Sequence, residues 1–140
     1  MSHRIVLLLF ALLASSFGWA QDHIESGELK GFTRRPEEHI INQLDDPFTV
    51  CEVKGIGFIA DGFKSPAVGM LLELRGPGES GSIVSTTTKS DGKFRLRHVG
   101  PGKYLFKATM RGFQSVVGTI IVSPKADTVH VIAIEMKMGV

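Results

Sequence analysis

Three short stretches of this 140-residue chain carry residue types whose spacing could do chemistry. Gly76-Pro77-Gly78-Glu79-Ser80-Gly81 fits G-x-G-x-x-G, the spacing that brings backbone amides to a dinucleotide pyrophosphate. That chemistry needs a helix opening directly after the glycines. Ser82 to Thr88 is instead rich in β-branched residues and reads as a strand, so a flexible inter-strand loop is expected. Ser90-Asp91-Gly92-Lys93 fits S-x-x-K, in which a lysine activates a serine nucleophile. Asp-Gly, however, is a tight-turn pair, which sets Lys93 across a bend on an exposed face. The histidines beyond the first twenty residues, His23, His39, His98 and His130, have no partner at i+2 or i+4 and no cysteine nearby, so metal-ligand spacing is missing. No catalytic set, cofactor or metal is expected. Cys51 is the only cysteine; an intermolecular disulfide is one use, and a small buried hydrophobe on a strand is the commoner one.

The third stretch carries charge. Lys93, Arg95 and Arg97 alternate with Phe94 and Leu96, and the row continues on the following strand with Lys103 and Lys107. Together these five form a possible basic face for an acidic partner; the plainer reading is a solvated face that keeps the sheet soluble and discourages edge pairing. Residues 21 to 50 hold seven acidic and three basic residues, a net −4, whereas residues 51 to 140 hold twelve basic and seven acidic, a net +5. The possible partners are the chain's own acidic segment, another protein, or an acidic polymer of the cell envelope. The small overall charge gives no reason to expect nucleic acid.

The elements that position these residues begin after a leader. Ser2-His3-Arg4 is a basic start, Ile5 to Ala14 is an apolar run, and Gly18 and Ala20 are the small residues of a cleavage site before Gln21, the pattern of a secretory signal peptide. A membrane span would need about 18 or more apolar residues, and this run stops before Ser15. Residues 1 to 20 are therefore expected to be removed on export to the periplasm or the extracellular space, with no membrane span left. Residues 21 to 50 read as an acidic, partly ordered linker with at most one short helix near Pro36 to Leu44.

From Asp45-Asp46-Pro47 onward, short runs of Val, Ile, Leu, Phe and Thr recur between Gly, Pro, Asp and Ser, the rhythm of an all-β sandwich. Strands are expected near 49–60, 67–75, 82–88, 93–99, 103–110, 115–122 and 127–137, seven in all, which suits an immunoglobulin-sized fold. Alternation puts Phe94 and Leu96 inward on one strand, and Tyr104, Phe106 and Ala108 inward on the next. Gly100-Pro101-Gly102 breaks the sheet between them. Ser115 to Val122 and Thr128 to Met136 are apolar at both parities, as a strand covered on both faces would be; Ile132, Ile134 and Met136 are the expected inward row, with His130 in line.

Taken in order, these signals resemble a family, the carboxypeptidase regulatory-like domain. Gly57-Phe58-Ile59-Ala60-Asp61, then Pro66, Gly69, Leu72 and Leu74, then Thr87-Thr88, Asp91-Gly92 and Phe94, then Val99, Pro101-Gly102, Tyr104 and Phe106, and last Gly112-Phe113 follow its order and spacing. Departures are Gly100, Lys89 and Ala67. The resemblance covers about residues 51 to 138 and implies a transthyretin-like, Greek-key β-sandwich in a secreted or periplasmic protein. It implies a non-catalytic binding or structural module at the cell envelope. Related folds do host enzymes, but ureide hydrolases of this shape end in Tyr-Arg-Gly-Ser and intradiol dioxygenases hold iron with two Tyr and two His. This chain ends Glu135-Met136-Lys137-Met138-Gly139-Val140 and has only Tyr104. The sandwich is also similar to carbohydrate-binding modules. With Trp19 in the leader, Phe58 and Phe63 would have to supply the stacking face for an envelope or extracellular glycan.

Overall fold

Period-two alternation and frequent turns leave the chain one way to bury its apolar rows, between two packed sheets. The computed structural model describes residues 23–36, 38, 40–78 and 81–139; the expected signal peptide lies outside them. Among the described residues the strands are β1 (Ile41–Gln43), β2 (Phe48–Val50), β3 (Val53–Ile59), β4 (Leu71–Arg75), β5 (Ile83–Thr87), β6 (Lys93–Leu96), β7 (Gly102–Thr109), β8 (Ser115–Val122) and β9 (Ile132–Met136). The larger sheet runs β1-β8-β7-β4-β5, with β2 also on β8, and the smaller runs β6-β3-β9. The all-β sandwich is what forms. None of the described helices is long and apolar enough to cross a membrane.

The core lies between the sheets. Leu72, Leu74, Tyr104, Phe106, Ala108, Val116 and Ile120 face it from the larger sheet, and Val53, Phe94, Ile132, Ile134 and Met136 from the smaller. The inward rows of β6, β7 and β9 are those expected. His130 is different: it precedes β9 and is exposed. The run read as one strand over 49–60 is two strands, because Cys51 and Glu52 carry the chain from the larger sheet, where β2 pairs with β8, to the smaller, where β3 pairs with β6 and β9.

Residues 21 to 50 depart from a linker with a helix near Pro36. A 3-10 turn spans Ser26–Leu29, and β1 and β2 add in parallel to successive stretches of β8. Between them the segment straps the outer face of the larger sheet. Thr33 N–H donates to Glu73 Oε1 (2.9 Å), the Arg75 guanidinium donates to the carbonyls of Glu28 (2.6 Å) and Lys30 and lies 4.6 Å from the Phe32 ring centre, and Glu38 meets Lys107 and the Ser115 hydroxyl. Pairing with an existing edge supplies hydrogen bonds that a lone short helix would lack, which is why strand wins over helix here.

The stretch from Thr86 to Tyr104 is held by three side chains. Thr88 Oγ1 donates to Ala67 O (2.5 Å) and accepts from Met70 N–H (2.8 Å), fixing the end of β5 to the loop before β4. Asp91 Oδ1 accepts from Lys93 N–H (3.0 Å) in the following turn. Gly92 there has φ +78°, and a Cβ would stand 2.5 Å from Gly57 O, so both conformation and space require glycine. The Tyr104 hydroxyl donates to Gly100 O (2.7 Å), pinning the Gly-Pro-Gly turn from inside.

Candidate functional site

The smaller sheet's outer face is where the basic row meets a concavity. β6 pairs with β3, setting Lys54 opposite Arg95 and Ile56 opposite Lys93. A cleft of about 640 Å³ crosses β6, bounded on one side by Thr86, Thr87 and Lys89 and on the other by Lys54, Ile56 and Val131. Its charged lining is Lys54, Lys89, Lys93, Arg95 and Arg97 against Asp91 alone. Glu52 at the rim bridges Arg95 (3.0 Å) and Lys54 (3.3 Å), and those two cations hold its carboxyl below the ordinary glutamate range. Lys89, Lys93 and Arg97 have no ion-pair partner among the described residues. The chemistry available is multivalent attraction of anions over a partly apolar floor, with hydroxyls at one wall.

The five-residue basic face expected from the sequence does not form as one surface. Lys93, Arg95 and Arg97 are exposed together on the cleft, but the strand after β6 in the chain is not its neighbour in space. β7 lies in the larger sheet, so Lys103 lines a separate cleft with Arg75 and Glu28. Lys107 is 2% exposed beneath the strap, with its ammonium 2.7 Å from Glu38. In their place the fold recruits Lys54 from β3 and Lys89 from the turn. Lys54 would follow from the sequence only with the β3–β6 register in hand. The acidic segment docks on the larger sheet and leaves the β6 cleft open.

The other candidates fall as follows. Gly76, Pro77, Gly78 and Gly81 lead into β5 with no helix after them, and Glu79 and Ser80 lie outside the described residues. Ser90 and Lys93 stand on the β5–β6 turn. Tyr104 is buried and its hydroxyl is engaged in the turn. Cys51 is half-buried at the crossing between sheets. Phe58 is half-buried on β3, with the Lys64 ammonium 5.9 Å from its ring centre. Phe63 is 88% exposed on a braced loop: the Asp61 carboxylate accepts from the Ser65 hydroxyl, from Phe63 N–H (2.8 Å) and from Ser65 N–H (3.4 Å), bonds that lower its pKa. Sequence reasoning had no signal for how far that ring stands out.

The profile of the carboxypeptidase regulatory-like domain matches residues 56–137, more than half the chain. The chain belongs to that family. No curated protein matches the sequence significantly. Solved structures of related shape include BcpA, the major pilin subunit of Bacillus cereus, at 18% identity over 61% of this chain with a TM-score of 0.44. The chain spans 27% of that pilin. They also include 3-chlorocatechol 1,2-dioxygenase of Rhodococcus opacus 1CP, at 11% identity over 75% of this chain and 65% of the enzyme with a TM-score of 0.39. Chlorocatechol 1,2-dioxygenase of Pseudomonas putida is similar at 10% identity over 76% and 68%, with a TM-score of 0.36. In the regulatory-like domain described here, the turn signals serve the fold; Thr87, Asp91 and Phe94 among them also line the cleft, but its five cations, Lys54, Lys89, Lys93, Arg95 and Arg97, are not among those signals.

Proposed function

We propose that this domain is an exported, non-catalytic binding module of the cell envelope whose ligand is an acidic partner held on the β6 cleft. The observation that carries the reading is the charge of the cleft, five cations against Asp91 with Glu52 at the rim bridging Lys54 and Arg95, in a chain whose formal net charge is only +2. Two strands and one turn converge to make that excess of positive charge, with Lys89, Lys93 and Arg97 left without an ion-pair partner among the described residues. Export rests on the leader pattern and places Gln21 at the N-terminus of the released protein, which an intact-mass measurement reads directly; a product that keeps Met1 overturns it.

The binding claim is tested with poly-L-glutamate. Wild type is expected to bind at 0.1 M salt and to weaken strongly at 1 M, where the Debye length falls from about 10 Å to about 3 Å. Arg95→Glu/Arg97→Glu is expected to weaken binding about tenfold or more while leaving thermal stability within the range of surface substitutions. Lys103→Glu, on the other sheet, is expected to leave binding in place. Equal binding by the double variant and wild type would make the cleft solvated surface only.

A glycan reading has one observation in its favour, the exposure of Phe63 on its braced loop. The same assay with a neutral polysaccharide separates the two, since stacking on Phe63 depends little on salt and not at all on Arg95.

A further inference from the structure

The two sheets separate at the Lys89–Gly92 turn, leaving the outer edges of β5 and β6 without a neighbouring strand among the described residues. Alternation along an antiparallel ladder decides which backbone groups are already used. Phe94 pairs with Gly55 and Leu96 with Val53, and the bond from Gly57 N–H to Gly92 O (2.8 Å) continues the same series. Phe94 and Leu96 therefore turn their N–H and C=O toward β3, as Gly92 turns its C=O while its N–H closes the turn on Lys89 O (2.9 Å), and Lys93 and Arg95 turn theirs away. Lys93 is satisfied by the turn, donating to Asp91 Oδ1 and accepting from Lys89 N–H (2.9 Å). The N–H and C=O of Arg95 have no protein partner among the described residues, and they open onto the cleft that Arg95 itself lines.

Edge cations ordinarily deter pairing, since like charges on facing strands repel. The deterrent is selective. It excludes a second copy of β6 and favours an incoming strand of opposite sign. We infer that the free edge of β6 takes an extended acidic segment of a partner protein as an added strand. The inference rests on the acidic-partner reading above and gives it a mode. One residue of the incoming strand exchanges two hydrogen bonds with Arg95. Its side chain, and those two residues before and after, fall on the outer face beside Lys93, Arg95 and Arg97. The intervening side chains turn toward Thr86 and Thr87. The segment recognised is therefore acidic at every second position, with small or β-branched residues between.

The test uses the leaderless full chain and four probes: a peptide alternating Glu with Thr, the same composition with its glutamates in one block, the alternating peptide N-methylated along one edge, and polygalacturonate. The alternating peptide is expected to bind most tightly and to slow hydrogen exchange at the Arg95 amide. N-methylation removes the backbone donors while keeping every charge, and is expected to weaken binding about tenfold. If all four bind alike, with salt-sensitive affinity and no protection at Arg95, strand addition is wrong and the basic cleft with its acidic partner stands. If none binds, or if Arg95→Glu/Arg97→Glu binds them as wild type does, the cleft reading fails and strand addition fails with it.

Discussion

Phe106→Ala is expected to remove about 3 to 5 kcal/mol of unfolding free energy, read as a fall in urea midpoint at unchanged slope. Phe106 is fully buried near the middle of β7, between Leu74 on β4 and Gly118 on β8. Its ring lies 6.0 Å from that of Phe48 at a 47° tilt, and a Cβ on Gly118 would stand 2.7 Å from its Cε1. The ring thus fills space that the opposing glycine leaves open, and paired strands on both sides cannot close over the hole that alanine would make. Leu105→Ala, one residue earlier on the half-buried outward parity, is the internal control and should cost much less. A loss under about 1 kcal/mol at Phe106 would mean that the two sheets do not meet where described.

Lys107→Met is expected to cost about as much, about 3 to 5 kcal/mol, for an electrostatic reason. The Glu38 side chain is only 4% exposed, its carboxylate is 2.7 Å from the Lys107 ammonium, and it also accepts from the Ser115 hydroxyl. Buried Glu73 on β4 is the register partner of Lys107 on β7. Removing the ammonium leaves two carboxylates on a covered face with one cation fewer between them. The loss has a ceiling: Glu38 sits on the strap, and lifting the strap rehydrates it. Limited proteolysis should therefore cut within residues 23–40 before the sandwich itself unfolds. Lys107→Met/Glu38→Met, which removes both charges, should recover most of the loss, as apolar replacements of buried pairs commonly do. A single variant with wild-type stability and an uncut strap would show that the pair contributes nothing.

Much of this arrangement is written in the chain. Parity along β6, β7 and β9 is legible because successive side chains of a strand must point to opposite faces, whatever the strand's neighbours are. The Asp91-Gly92 turn and the Gly100-Pro101-Gly102 break are legible because few residues accept the backbone angles they need. The candidate site is half legible on the same grounds: Lys93, Arg95 and Arg97 share a face by strand geometry alone. Their companions do not follow. Lys54 comes from a strand some forty positions away in sequence, brought beside Arg95 by the β3–β6 register. Lys103 and Lys107 continue the row on paper, yet β7 belongs to the other sheet, and there the strap turns an outward lysine into a buried one. Of the strap's own strands, Ile41–Gln43 is too short to announce itself and Phe48–Val50 is legible only as the start of the run over 49–60; both pair because β8 offers them an edge. The sequence by itself determined the inward and outward rows and the turns, which depend on neighbouring residues. Only the tertiary structure decided which strands are adjacent and which faces are covered, because those are set by pairing and packing between segments far apart in the chain.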